Sequence, residues 1–101
     1  MSGTSADGVD ACLVAFERGR PRLLGHAARP FAPALRRDVL EAMAGTDLAR
    51  AGELDVRLAD AYADAVAAVV DAGPAGIPVR AIGCHGQTVL HRPDGPYPTS
   101  V

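Results

Sequence analysis

The sequence predicts an α/β chain, and three observations predict it. Residues 9–16 (VDACLVAF) are apolar on both faces of a two-residue alternation, as in a strand covered on both sides. Leu54, Leu58, Tyr62 and Val66 recur every fourth residue, which is the spacing of one helix face. Residues 79–84 (VRAIGC) form a second short apolar run of strand length. With 101 residues, the chain is at most one small domain.

The elements follow in order. In residues 9–16, Cys12, Val14 and Phe16 share one face, and Ala11, Leu13 and Ala15 the other. Residues 17–21 (ERGRP) form a turn: Gly19 accepts positive φ and Pro21 stops a helix. Residues 22–31 are then the returning strand of a hairpin. Residues 33–45 form a helix, with Pro33 in its first turn and Gly45 at its end. Leu35, Val39 and Met43, with Leu40 beside them, make its apolar face. A second helix follows, capped by Thr46, with Asp47 in its first turn and Gly73 and Pro74 ending it. Val69 and Val70 join its apolar row, and Gly52 is a place for a bend or restart. After the linker PAGIP, the strand at 79–84 leads into a Gly- and Pro-rich loop over 85–101.

Composition excludes several functional classes. The net charge is −2, so no general attraction to nucleic acid or anionic lipid is expected. All ten basic residues are Arg, and aromatic residues make up only 4%, too few for base-stacking platforms. Hydrophobic residues are 49%, which argues against disorder. There is no leader-like n-region and h-region and no apolar run of membrane-spanning length. A cytoplasmic protein with two free thiols, Cys12 and Cys84, is the expectation.

Two polar clusters stand out. The first is SGTSADG, a turn of small residues leading into the first strand. Gly3 and Gly8 open conformations that other residues resist, and converging backbone N–H groups with the Thr4 and Ser5 hydroxyls suit an anion. Asp7 and Asp10 are placed to orient magnesium-bound water. The P-loop and dinucleotide patterns are both absent, and an ordinary Ser or Asp turn uses the same residue types. The second cluster is GCHGQTVLHRP. There His85 and Gln87 leave a strand end, where open sheets bind ligands, with groups that suit sugar hydroxyls and an acetamido group. A loop histidine without a role is one rival reading. A zinc site of Cys84, His85 and His91 is another, but adjacent ligands are awkward and no CxxC pair completes it. Cys84 as a nucleophile with His91 is equally weak, because the strand directs the thiol into packing.

Together, MSGTSADGVDACLV, ELDVRLADAYADAV and AIGCHGQTVLHRP, in this order, closely resemble the N-terminal part of the anhydro-N-acetylmuramic acid kinase family. The resemblance implies an actin-like ATPase (ribonuclease H-like) fold, with this chain, 1–101, a partial N-terminal lobe of mixed sheet and flanking helices. It implies ATP and Mg²⁺ as cofactors and an anhydro amino sugar as substrate. It places Gly3, Thr4, Ser5, Ala6, Asp7, Gly8, Val9 and Asp10 on the ATP phosphates, with Asp7 and Asp10 near Mg²⁺, and His85 and Gln87 on the sugar side. Ala6 stands where a larger apolar residue, often Leu, is usual. In the family a few apolar residues precede MSGTS, and the general base and adenosine-binding segment lie beyond the position of Val101. The chain is therefore expected to be an inactive fragment by itself, and the full-length parent a homodimer. A truncated, non-catalytic remnant and a stand-alone sugar- or nucleotide-binding module are the alternatives.

Overall fold

The computed structural model describes residues 5–101. Strand β1 (Gly8–Glu17) pairs antiparallel with β2 (Arg20–Pro30). Arg18 (φ 52) and Gly19 (φ 77) form the turn between paired Glu17 and Arg20. Two positive φ values in succession produce a twist that matches the two strands. Gly19 adopts this conformation freely, whereas Arg18 does so at about 1–2 kcal/mol. The register shifts after Leu13, where Leu24 is the extra residue of a bulge.

Helix α1 (Pro33–Ala44) opens with Pro33 in its first turn and closes at Gly45, whose φ of 147 only glycine adopts readily. Helix α2 (Leu48–Ala72) runs for 25 residues and is not interrupted at Gly52. Its N-cap is Asp47, whose carboxylate accepts the Arg50 N–H at 2.8 Å. This corrects the expected Thr46 cap: the Thr46 hydroxyl contacts the Asp47 carbonyl instead. The cap belongs to the residue whose side chain reaches the N–H three positions on.

The apolar spacing places both helices. Leu35, Val39 and Ala42 of α1 and Leu54, Leu58, Ala65 and Val69 of α2 are buried with Val9 and Phe31. Arg57 of α2 donates to Asp38 of α1 at 2.6 Å across the helix pair. The buried row of α2 moves from Leu58 to Ala65 and Val69, leaving Tyr62 and Val66 half-buried. The Tyr62 hydroxyl is buried without a partner among the described residues, and burial pushes its pKa up.

Several expectations about strands are corrected. Among the described residues only one face of β1 is covered: α2 packs on the hairpin and α1 packs on α2. Val9, Ala11 and Leu13 point inward, while Cys12, Val14 and Phe16 are exposed, Phe16 at 76%. The apolar alternation alone does not supply a second covering layer. Residues 79–84 form no strand, because a strand exists only where its backbone finds a ladder partner. The expected mixed sheet is therefore not observed: both sheets among the described residues are antiparallel. Conversely, the expected loop over 85–101 contains a short pairing of β3 (His91–Arg92) with β4 (Thr99–Ser100). The α/β character stands.

Candidate functional site

Of the residues expected at the phosphates, Gly3 and Thr4 lie outside the described residues. The rest form the lead-in to β1. The Asp7 carbonyl accepts the Phe31 N–H at 3.0 Å, which ties this turn to the segment between β2 and α1. The Ser5 hydroxyl donates to Asp7 Oδ1 at 2.8 Å. That hydroxyl is thus engaged by its neighbour, where the sequence suggested an anion donor. The Ser5 bond is the main reason the Asp7 carboxyl lies below its usual range, and the Arg36 guanidinium adds to the effect. Ala6 is fully buried at a φ of 48, a left-handed conformation costly for a residue with a Cβ. Ala6 and Val9 both face the core, so only their backbone groups remain for a ligand. Gly8 is needed for close approach: a Cβ there would collide with the Arg29 carbonyl of β2.

Asp10 lies on the exposed face of β1, with His26 Nε2 of β2 at 3.2 Å from Oδ1. The sequence reading missed this pair. His26 is in register with Cys12, and that register depends on a hairpin closing at Arg18–Gly19 and on the bulge after Leu13. Asp7 and Asp10 are hard oxygen donors, the chemistry Mg²⁺ favours, and the Ser5 hydrogen bond favours the ionised form of Asp7. No group of three or more His, Cys, Asp or Glu side chains that could hold a metal occurs among the described residues.

His85 and Gln87 line one groove of about 480 Å³ between α2 and the segment 85–89. Gly86, at a φ of 78, turns the chain between them. The floor is apolar, from Ala42, Leu54, Leu58 and Val89, and the rim carries Asp55, Thr46, Thr88 and Ser100. The Gln87 amide donates to the Thr88 carbonyl at 3.2 Å, and His85 Nδ1 is 3.2 Å from the Gly86 carbonyl. The Val89 and Leu90 N–H groups donate to the Val101 carbonyl at 2.7 and 2.9 Å. That pairing folds residues 100 and 101 onto the groove's edge. None of residues 5–10 lines this groove, so the described part of the first cluster is not in its lining. Cys84 is exposed, contrary to the expectation of a packed thiol, because residues 79–84 are not in a sheet. Asp55 was not singled out in the sequence. Its signal is its place beside Leu54 on the flank of the apolar row.

No helix among the described residues is long and apolar enough to cross a membrane. The sequence profile of the anhydro-N-acetylmuramic acid kinase family matches residues 1–101. The chain is 46% identical over 101 residues to the anhydro-N-acetylmuramic acid kinase of Vibrio vulnificus strain CMCP6, covering 97% of this chain and 27% of that protein. It is 45% identical to the one of Aliivibrio fischeri, covering 97% and 28%, and 42% identical to the one of Sulfurimonas denitrificans, covering 100% and 28%. The chain thus spans little more than a quarter of the length of these relatives. A match over every residue at this identity assigns the family: the chain belongs to the anhydro-N-acetylmuramic acid kinases.

Proposed function

We propose that the protein carrying this chain transfers a phosphoryl group from ATP to 1,6-anhydro-N-acetylmuramic acid. Water opens the anhydro bridge, and the released O6 takes the phosphoryl group, giving N-acetylmuramic acid 6-phosphate and ADP. The observation that carries this reading is the family match across the whole chain, with both polar clusters in place. The fold is proposed to be the actin-like ATPase fold, with the hairpin and two helices as part of one lobe. The role is recycling of cell-wall sugar in the cytoplasm, and the longer protein is a homodimer.

Each cluster has a distinct task. Gly3, Thr4, Ser5, Ala6, Asp7, Gly8, Val9 and Asp10 form the phosphate turn. Its backbone N–H groups face the ATP phosphates. Asp7 and Asp10 would hold Mg²⁺, directly or through water, and the ion neutralises charge on the phosphates. The anionic state of Asp7 in the folded chain supports that role. His85 and Gln87 bind the sugar, whose free hydroxyl and acetamido group match an imidazole and a primary amide. The general base lies in the part of the protein outside this chain, so this chain alone is expected to show no turnover. A base must reach the water it activates.

The test is kinetic, on the full-length protein. Asp10→Asn should lower kcat, because the metal's neutralisation matters most as charge shifts in transfer. Gln87→Ala should raise the KM for the sugar and spare that for ATP. An Asp10→Asn enzyme with unchanged kcat, or a Gln87→Ala enzyme impaired for ATP alone, would refute this division of tasks.

A further inference from the structure

His26 reaches Asp10 across the hairpin, and the register builds in that reach. Asp10 pairs with Ala28 and Cys12 with His26, so His26 stands diagonally from Asp10, two residues along. Its Nε2 lies 3.2 Å from Asp10 Oδ1. Diagonal neighbours in an antiparallel pair are about 7–8 Å apart, a gap that a long side chain closes. Ala28, opposite Asp10, has only a methyl group and leaves room for the ring. The bulge at Leu24 decides which face His26 takes. Between the turn and the bulge, Glu17 pairs with Arg20 and Val14 with Leu23. Continued without the extra residue, that register would set His26 opposite Ala11, which packs against the core. A shift of one residue moves a side chain to the other face of a sheet. The bulge therefore turns His26 to the exposed face that carries Asp10, as bulges beside functional sites do.

The chemistry of the pair is as particular as its placement. Glu17, Asp38 and Glu41 each face an arginine, whose charge offsets theirs. Asp10 faces an imidazole. An ionised carboxylate only accepts, so Nε2 carries the proton in this contact. A neutral imidazole donates one hydrogen bond and fixes a carboxylate's direction without cancelling its charge. Asp7 is held in a similar way, by the uncharged Ser5 hydroxyl on Oδ1. Both carboxylates proposed for Mg²⁺ thus have an orienting donor on one oxygen. Hydrogen-bonded partners of this kind direct metal-binding carboxylates and tune their affinity.

We infer that His26 is a positioning residue of the metal site: its Nε2–H fixes the Asp10 carboxylate in the orientation that holds Mg²⁺ on the ATP phosphates. This rests on the proposed role of Asp10 at the metal. His26 acts through Asp10 and binds neither the ion nor the phosphates.

The experiment uses the full-length protein and two probes, ADP with Mg²⁺ and ADP with EDTA. Each is titrated calorimetrically into wild type, His26→Ala, His26→Gln, Asp10→Asn and the double variant that combines His26→Ala with Asp10→Asn. The KM for the sugar is measured separately. His26→Ala should weaken Mg²⁺–ADP about tenfold and leave metal-free ADP and the KM for the sugar unchanged. Losing the partner of a metal ligand costs about 10- to 100-fold, and the lower end applies because both side chains are more than half exposed. His26→Gln keeps a side-chain N–H donor and should recover part of the loss. With Asp10→Asn already in place, His26→Ala should add nothing, because the two act through one group. If His26→Ala binds both probes as wild type does while Asp10→Asn loses the advantage of Mg²⁺, the His26 assignment is wrong and the Asp10 reading survives. If Asp10→Asn keeps that advantage, the Asp10 reading fails and the His26 assignment falls with it. Equal weakening of both probes by His26→Ala, or a further loss in the double variant, would overturn the assignment as well, since His26 would then act on the nucleotide site without Asp10.

Discussion

Two regions of this chain obey different rules. From β1 to the end of α2, each element buries one apolar face, although the Cys12, Val14 and Phe16 face of β1 stays exposed. From Ile77 to Ile82, apolar residues remain in the open: Ile77 is 45% exposed, Val79 42% and Ile82 66%. Hydrophobicity is not the difference, since VRAIGC is as apolar as parts of β1. The difference is where the partner comes from. A helix satisfies its own backbone, so an amphipathic repeat needs only a surface to lie on. A hairpin carries its partner a turn away. An isolated apolar run needs a ladder supplied from elsewhere, and the described residues offer residues 79–84 none.

The contrast is broken most directly by equal deletions in the two regions. Leu58 is 7% exposed, in the contact between α2 and α1, and Leu58→Ala should cost about 2–5 kcal/mol in urea unfolding. Ile82→Ala removes a similar volume from an exposed site and should stay within about 0.5 kcal/mol. Comparable losses for the two would mean that residues 79–84 are packed in solution, and the distinction would fall.

Glycines sharpen the same comparison at smaller amplitude. A Cβ at Gly8 would run into the Arg29 carbonyl and the Pro30 Cα, which are backbone atoms that cannot rotate away. Gly8→Ala should therefore cost about 1–3 kcal/mol, as overpacking does. At Gly83 nothing lies within 4 Å and φ is not positive, so Gly83→Ala should be neutral or slightly stabilising. Thermal unfolding of both variants reads the difference. A destabilising Gly83→Ala would show that residues 79–84 meet a close neighbour.

What the sequence revealed follows the same line. The hairpin, both helices and the Leu35–Val39 and Leu54–Leu58 parts of their apolar faces were readable from Gly19, Pro33, Gly45 and the i, i+4 spacing, because local chemistry determines them, whereas Leu40 and Val70, expected on those faces, are exposed. The N-cap was misplaced by one residue, from Asp47 to Thr46, since both are good caps and only geometry decides. Whether β1 would be covered on one face or two was not readable, because the covering layer is not a property of the strand. Ser5, Asp7 and Asp10 were noticed as polar, but the Ser5–Asp7 and Asp10–His26 partnerships depend on turn geometry and cross-strand register.

The smallest expected effect is electrostatic, and it too belongs to the packed region. Asp38 on α1 accepts from Arg57 on α2 at 2.6 Å, and this bond is the main cause holding its carboxyl below the usual carboxylate range. A carboxyl whose folded pKa is depressed stabilises the fold above its unfolded pKa. The contribution fades as pH falls through the folded value. The helix pair should therefore loosen in acid below about pH 4, and the effect is modest because the pair is solvent-exposed. Asp38→Asn removes the charge at every pH. Its urea midpoint should be lower than that of wild type at pH 7, and its midpoint should decline less steeply between neutral pH and strong acid. Some acid slope should persist in the variant, because the Ser5 bond lowers Asp7 in the same direction. Neither partner of the Asp38–Arg57 bond lies in residues 77–101, so amide exchange there should respond least to the same change. An Asp38→Asn chain with the full wild-type acid slope would show that the Asp38–Arg57 bond does not join the two helices in solution.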